Sequence, residues 1–124
     1  MAYKLRTSKQ TQEIFSKIAI TSGLQPFALS KIAIALSIKS GKLNEHDFSS
    51  DNDGLELSRQ TIFGDYDLLY KSIICTRAGN YLPDGDYFPR IVKAHLDRGA
   101  KLLNEENRYS KNLFIDLCNL EKNI

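Results

Sequence analysis

The alternation of hydrophobic and polar residues predicts a strand followed by a helix at the start of the chain. Lys4, Arg6 and Ser8 fall on one face of an extended segment, while Leu5 and Thr7 fall on the other, which is the period of a strand. Either Thr7 or Ser8 can cap the helix that follows, and the next glycine along the chain is expected to end it. The buried face predicted for this helix consists of Thr11, Ile14, Phe15, Ile18 and Ala19.

A second helix is predicted from Pro26 to Ser40, because proline suits the first helical position and Gly41 suits a helix end. Its apolar residues cover almost the whole circumference. A helix of this kind in a small protein needs cover from several sides, and we expect a partner subunit to supply part of it. The candidate oligomer interface consists of Phe27, Ile32, Ile34, Leu36 and Ile38.

The remainder of the chain is predicted to be mainly helical beyond a polar, acidic segment. Residues 44 to 54 form a predicted loop, and residues 55 to 63 are expected to be extended or irregular. Asp65 is expected to cap a third helix, and a fourth covers about residues 89 to 104 with Gly99 at a close contact. The third helix is expected to bury Leu68, Leu69, Ser72, Ile73 and Thr76.

Together these elements predict a mainly α fold, a compact helical domain of about five helices with a short N-terminal strand. The fifth helix is expected to begin after Ser110. The strand–helix–helix order of the first part is that of a ribbon–helix–helix module. We expect a single domain, residues 1–124, in which residues 1–42 form the basic strand–helix–helix part, residues 43–64 an acidic loop and residues 65–124 the helical remainder.

Charge is distributed unevenly along the chain, although the net charge of the 124 residues is only +2. Residues 1–42 carry seven basic side chains and one acidic side chain, whereas residues 43–70 carry seven acidic side chains and one basic side chain. The basic third is suited to a polyanion. Alternatively, the acidic segment pairs with the basic third of the same or a neighbouring chain, and the sequence leaves both interpretations open.

The sequence contains few residue patterns that carry chemistry. His46 and His95 lack neighbours at metal-ligand spacing, and Cys75 and Cys118 each lie in an apolar run, where buried reduced thiols are expected. The stretch "AHLDRG" could hold a catalytic histidine, but a packed helix histidine is favoured. No phosphate-binding loop or catalytic triad pattern is present. We therefore expect no enzyme activity, no cofactor and no metal. The absence of a signal peptide pattern and of a long apolar run favours the cytoplasm.

The positive prediction is DNA binding. In a ribbon–helix–helix module two chains pair their N-terminal strands and place the ribbon in the major groove, so the basic face of the strand would meet DNA. Lysines of the two helices would add contacts to phosphates. The candidate DNA-binding residues are Lys4, Arg6, Lys9, Lys17, Lys31, Lys39 and Lys42.

Four stretches give the chain a resemblance to a known family. They are "RTSKQTQEIF", "TSGLQPFALSKIAIALSI", "TIFGDYDLLYKSII" and "AHLDRGAKLL", and with them the match covers about residues 4 to 103. In these stretches, in length and in the order of elements, the chain resembles the DndE family of DNA sulfur-modification (phosphorothioation) proteins.

The resemblance implies a small, mainly helical, non-catalytic component of the machinery that replaces a non-bridging phosphate oxygen of DNA with sulfur. It implies that partner proteins carry the chemistry: a cysteine desulfurase, an iron–sulfur ATP-pyrophosphatase-like protein and an SMC-like ATPase. It further implies a homotetramer that binds double-stranded DNA, with nicks as a candidate target. On this interpretation Lys4 and Arg6 contact the DNA backbone rather than base edges.

Three functions from different classes remain open at this point. The first is the DNA-binding subunit of phosphorothioation, in which lysines from several subunits neutralise phosphates. The second is a ribbon–helix–helix transcriptional repressor, which would discriminate its operator by about 4–10 kcal/mol. The third is a structural scaffold that bridges the larger modification proteins without touching DNA, and such a protein would show no DNA affinity at any salt concentration.

Overall fold

The computed structural model describes residues 4–109, and these form a mainly α fold with one small sheet, as predicted. The fifth helix predicted after Ser110, and Cys118 with it, lie outside the described residues. Short 3₁₀ turns cover Glu45–Phe48 and Gly64–Tyr66, and a π-helical stretch covers Tyr87–Val92. The main elements are β1 (Lys4–Arg6), α1 (Lys9–Ser22), α2 (Pro26–Ser40), β2 (Glu56–Ser58), α3 (Arg59–Phe63), α4 (Asp67–Ala78), the single turn α5 (Asp84–Asp86) and α6 (Lys93–Tyr109).

The caps read from the sequence form the ends of α1 and α2. The Ser8 side chain accepts a hydrogen bond from the Thr11 amide and so satisfies an otherwise unpaired donor of the first turn. Gly23 ends α1 with a φ of 73° and donates its amide to the Ala19 carbonyl. Helix α2 begins at Pro26 as predicted. The prediction of strand, helix and helix in this order is therefore confirmed.

Strand β1 pairs with β2 of the same chain, in antiparallel register, whereas the ribbon interpretation expected a strand from a second chain. Leu5 lies opposite Leu57, and both are buried, which ties the sheet to the core. Beyond the strands, the Thr7 amide donates to the Leu55 carbonyl at 2.8 Å. A Cβ at Gly54 would overlap the backbone of the chain leaving β1, so only glycine fits this close approach. The segment predicted as extended or irregular is thus strand β2 followed by α3.

The core lies between α2 and α6, with α1 packed against α6. Gly99 of α6 lies against Ala33 of α2 so closely that a Cβ would overlap the Ala33 carbonyl. The close contact predicted at Gly99 is therefore confirmed. The largest fully buried side chains are Tyr87, Phe15, Phe63, Phe88, Ile18, Leu29, Ile34, Ile62, Ile74, Leu96, Leu103 and Val92.

The buried face predicted for α4 is wrong. Leu68, Leu69 and Ile73 are 75%, 56% and 42% exposed, and Ile74 is the fully buried residue of this helix. Helix α4 has apolar residues on two sides, and the core takes only the side that carries Ile74, with Tyr70 partly buried against the same cluster. Periodicity detects an apolar face but does not state what covers it.

The predicted fourth helix is π-helical at its beginning, and regular α-helix starts at Lys93. Pro89 explains the difference, because proline cannot donate a backbone hydrogen bond and its ring disturbs the preceding turn. Val92, His95 and Leu96 are buried on the inner side of this segment. Within residues 4–109 no single helix is long and apolar enough to cross a membrane, and α1 with α2 passes such a test only as a pair bent by 112°.

Candidate nucleic-acid interface

Four of the predicted DNA-binding residues lie on β1 and α1, and all four are exposed. Arg6 lies directly opposite Glu56 in the sheet register, so the negative charge of Glu56 offsets part of the positive potential around Arg6. The Lys17 ammonium approaches Asn104 of α6, with 3.4 Å between Nζ and Oδ1. The four residues are Lys4, Arg6, Lys9 and Lys17.

The position of this basic segment is fixed by a buried carboxylate, Asp97 of α6. One of its oxygens accepts hydrogen bonds from the Ser8 amide at 3.1 Å and from the Thr11 hydroxyl at 2.6 Å. The other accepts from the Ser50 hydroxyl at 2.7 Å and from the Lys93 ammonium at 2.8 Å. One carboxylate therefore joins the start of α1 to α6 and to the acidic loop. No sequence pattern predicted this buried group, because aspartate and lysine are expected at the surface.

The remaining three predicted residues lie on and just after α2. Lys31 is half-buried, and its ammonium lies 5.8 Å from the centre of the Phe27 ring, a cation–π arrangement. Lys39 and Lys42 are exposed and lie at the C-terminal end of the helix, where the helix dipole favours cations.

Two arginines that the sequence did not single out as DNA-binding join those lysines at the end of α2. The Arg98 guanidinium donates to the Ser37 carbonyl at 2.5 Å and to the Gly41 carbonyl at 2.6 Å. Arg77 of α4 donates from Nε to the Ile38 carbonyl at 3.1 Å. The Ile38 carbonyl also accepts from the Gly41 amide at 3.2 Å, and the Ser37 carbonyl from the Ser40 hydroxyl at 2.8 Å, so the arginines add further donors to the carbonyls at the end of the helix. The result is a group of four cations drawn from three parts of the chain.

None of the seven predicted DNA-binding side chains forms an ion pair with another residue between 4 and 109. Within residues 4–109 the acidic segment therefore does not pair directly with the basic third of the same chain, and pairing with a neighbouring chain stays a prediction. The lysines and arginines that do form ion pairs in this part of the chain are Arg59, Lys71, Lys93 and Arg98.

Two acids, one in the acidic segment and one beyond it, have other roles. Asp67 accepts two hydrogen bonds from Arg59, at 2.6 and 2.7 Å, which raises the pKa of the guanidinium. Asp84 accepts from the Lys71 ammonium at 2.6 Å, and this contact lowers the pKa of the carboxyl. Tyr87 is fully buried beneath the Arg59 guanidinium, which lies 5.1 Å from the ring centre, and burial raises the pKa of its phenol.

The acidic loop contacts the start of α1 through backbone amides. Asp51 accepts from the Lys9 amide at 2.9 Å and from the Asp53 amide at 3.1 Å, and these bonds lower the pKa of the carboxyl. A carboxylate at a helix N-terminus also interacts favourably with the helix dipole. The Lys9 ammonium is exposed and donates to the Gln12 side chain, with 3.4 Å between Nζ and Oε1.

His95 has a structural role. Its Nδ1 lies 2.8 Å from the Ser37 hydroxyl, which itself accepts from Arg98 Nε at 2.8 Å, so the hydroxyl donates to a neutral imidazole. Burial, and then the nearby Arg98 charge, lower the pKa of His95 to about 4. His95 and Arg98 of "AHLDRG" thus share the Ser37 hydroxyl, whereas Asp97 contacts the start of α1. The described residues contain no cluster of three or more side chains suited to a metal.

The residues predicted for an oligomer interface are divided by the fold. Ile34 is fully buried inside the chain's own core, which leaves none of its surface for a partner. Phe27 is 39% exposed, and the remaining three are half-buried at the edge of the core. Those three are Ile32, Leu36 and Ile38.

Comparison with known proteins identifies the relatives of this chain. The family model described as DNA sulphur modification protein DndE matches residues 4–111. No curated protein sequence is similar enough to count as a match.

Two solved structures share the fold. One is the crystal structure of DndE from Escherichia coli B7A, involved in DNA phosphorothioation modification, with a TM-score of 0.65, 18% identity, and coverage of 83% of this chain and 98% of that one. The other is a glycine-to-lysine mutant of DndE involved in DNA phosphorothioation, with a TM-score of 0.66, 18% identity, and coverage of 82% and 97%. The similarity in structure and the match over residues 4–111 agree, and the chain belongs to the DndE family of DNA sulphur modification proteins.

Proposed function

We propose that this protein is a non-catalytic, cytoplasmic DNA-binding subunit of the DNA phosphorothioation machinery. It holds double-stranded DNA through phosphate contacts, with nicks as a candidate target, and it works beside the larger modification proteins, which supply the sulfur and ATP chemistry. Membership of the DndE family supports the biological setting. The DNA-binding role is argued from the surface itself.

The observation that carries the proposal is that none of the seven predicted cations forms an ion pair with another residue among residues 4–109. A lysine that is already paired must break that pair before it can neutralise a phosphate, whereas an exposed, unpaired lysine only releases the counterion of the DNA. Six of the seven are exposed, and the exception is Lys31. The proposed surface therefore consists of Lys4, Arg6, Lys9, Lys17, Lys39 and Lys42, and the half-buried Lys31 is its least exposed member.

Assembly into a homotetramer would multiply this surface. Each chain carries a net charge of only +2, so a single copy has a weak field. Several copies of the basic third, brought close together, would attract DNA more strongly than one. The partly exposed apolar residues of α2, Phe27, Ile32, Leu36 and Ile38, support self-association as part of the proposal.

Of the two alternatives, the repressor is disfavoured by the pairing of β1 with β2. A ribbon–helix–helix protein needs its N-terminal strand for the strand of a second chain, and here the strand has a partner in its own chain. The scaffold remains the second candidate function, and a measurement of DNA affinity distinguishes it from the proposed DNA-binding function.

The decisive experiment measures affinity for intact, nicked and single-stranded DNA of the same length over a salt series. The test variant is Lys4→Gln with Arg6→Gln, in which glutamine avoids placing a new acid opposite Glu56. The matched control is Arg90→Gln with Lys101→Gln, two exposed cations outside the proposed surface, so both variants lose the same charge.

The test variant should bind more weakly, and the slope of log affinity against log salt should fall by about 2, because each lost phosphate contact removes about 0.9. The control should keep the wild-type slope. An equal loss in both variants would show a general charge effect and contradict the surface. No measurable DNA affinity in the wild type would support the scaffold, and discrimination of one sequence by about 4–10 kcal/mol would support the repressor.

A further inference from the structure

Helix α4 presents an apolar stripe to solvent. Leu69 and Ile73 lie one turn apart at its centre, 56% and 42% exposed, and Leu68 flanks them at 75%. Ser72 and Thr76 complete the stripe, and their hydroxyls donate back to the Leu68 carbonyl at 2.9 Å and the Ser72 carbonyl at 2.7 Å. The two hydroxyls therefore donate within the helix, so a partner could cover the stripe without leaving a buried hydroxyl donor unsatisfied.

A shallow hollow of about 580 Å³ adjoins the stripe. Ile38 at the end of α2 forms one side, and residues of α4 form the other. The hollow is wide enough to receive a bulky aliphatic side chain. Its lining residues are Ile38, Ser72, Ile73, Thr76 and Arg77.

Opposite charges stand at the two ends of the stripe. Asp65 precedes α4 and is exposed, and Arg77 lies in its last turn. Neither forms an ion pair with any other residue in the described part of the chain. Twelve residues separate them, which corresponds to roughly 18 Å along a helix. The stripe is therefore acidic at one end, apolar in the middle and basic at the other end.

We propose that this stripe pairs with the same stripe of a second copy of the chain, with the two α4 helices antiparallel. A two-fold axis at the level of Lys71 places Leu69 of one copy opposite Ile73 of the other. The same axis places Asp65 of one copy opposite Arg77 of the other. Each contact occurs twice, which is the property of a closed, isologous interface.

The order of charges favours a second copy over a different protein. A different protein could bind the stripe whatever the charges at its two ends. An antiparallel self-contact requires the charge at one end to be opposite in sign to the charge at the other. The α4 stripe has that complementarity. The inference rests on the self-association included in the proposed function, and it assigns a surface to it. It does not depend on DNA binding.

The first test measures molar mass by light scattering and sedimentation over a range of micromolar concentrations. Leu69→Ser with Ile73→Ser should weaken self-association by about tenfold or more, because the centre of the contact is lost. The matched control is Ile20→Ser, which removes an 85% exposed isoleucine from α1. All three side chains are exposed, so thermal unfolding should confirm that the variants remain folded. A wild type that is monomeric, or a double variant with the wild-type dissociation constant, overturns the proposal.

The second test uses the charges and is specific to the antiparallel arrangement. Asp65→Arg and Arg77→Asp should each weaken self-association, because each places like charges opposite one another twice. Mixing the two single variants should restore association as a heterodimer, since both charge pairs are then complementary. A mixture that associates no better than either variant alone overturns the antiparallel contact.

DNA affinity of the same variants separates the two proposals. Loss of self-association in the stripe variants with retained phosphate binding supports the α4 contact on its own. Wild-type self-association through α4 in a protein without DNA affinity supports the contact and contradicts only the proposed DNA-binding function.

Discussion

Replacing Asp97 with alanine should destabilise the protein more than any surface substitution. The carboxylate is 2% exposed and accepts four hydrogen bonds, from the Ser8 amide, the Thr11 and Ser50 hydroxyls and the Lys93 ammonium. Its removal leaves the buried ammonium without its counter-ion and leaves the Ser8 amide without its acceptor. Breaking a buried ion pair from one side costs about 3–5 kcal/mol. A domain of this size has a total stability of about 5–15 kcal/mol, so the loss would be a large fraction of it.

Urea unfolding followed by circular dichroism measures the loss, with the slope of the transition as a check on two-state behaviour. Asp97→Asn should cost less, because an amide oxygen can still accept from the start of α1. The double variant Asp97→Ala with Lys93→Met should be more stable than Asp97→Ala alone, because it removes the stranded charge. Two results would refute the conclusion that Asp97 connects α1, α6 and the acidic loop. One is a loss of less than about 1 kcal/mol in the free energy of unfolding for Asp97→Ala, and the other is a double variant less stable than the single one.

Three further substitutions test other parts of the fold. Gly99→Ala should lower the free energy of unfolding in urea by about 1–3 kcal/mol, because its Cβ overlaps the Ala33 carbonyl. The control Gly85→Ala, where a Cβ meets nothing within 4 Å, should lower it far less. Equal losses would contradict the close contact between α2 and α6. Since burial holds the pKa of His95 at about 4, below its ordinary 6.5, the folded protein binds fewer protons than the unfolded chain between these values, so stability should fall by about 3 kcal/mol as the pH drops from 6.5 to 4. His95→Gln should flatten that part of the pH profile, and an unchanged slope would show that another group is responsible. The Ser58 hydroxyl caps α3 by accepting from the Thr61 amide at 3.0 Å, and Ser58→Ala removes this bond. Thermal unfolding should show a loss of about 1 kcal/mol in the free energy of unfolding. A change close to zero would mean that the cap does not stabilise the fold.

Local signals in the sequence were sufficient for the first third of the molecule. The bounds of α2 and the caps at Ser8 and Gly23 depend on the conformations that individual residues allow and on hydrogen bonds within one turn. The position of Gly99 could also be predicted, because a glycine inside an amphipathic helix indicates a close approach. For the caps and the bounds of α2, the determining interactions lie within a few residues of each other in the chain, whereas at Gly99 only the residue type is a local signal and its contact, Ala33, lies in a distant helix.

The pairing of β1 with β2 could not be predicted in the same way. Each strand has three residues, too few for a reliable alternation, and the partners lie about fifty positions apart. What selects the pair is the burial of Leu5 beside Leu57 and the close approach at Gly54. Such a contact exists only after the chain has folded back on itself.

The candidate site also combines features predicted from the sequence with features that only the folded structure shows. The sequence by itself placed seven cations in the first 42 residues and predicted an apolar stripe on α4. The tertiary structure alone decided that those cations are left without ion pairs in the described chain, that Arg77 and Arg98 join the end of α2, and that the stripe faces solvent. It also decided that Asp97 is buried. The physical reason is that a side chain's type and spacing depend on the sequence, whereas its burial and its partners depend on which distant segments pack against it.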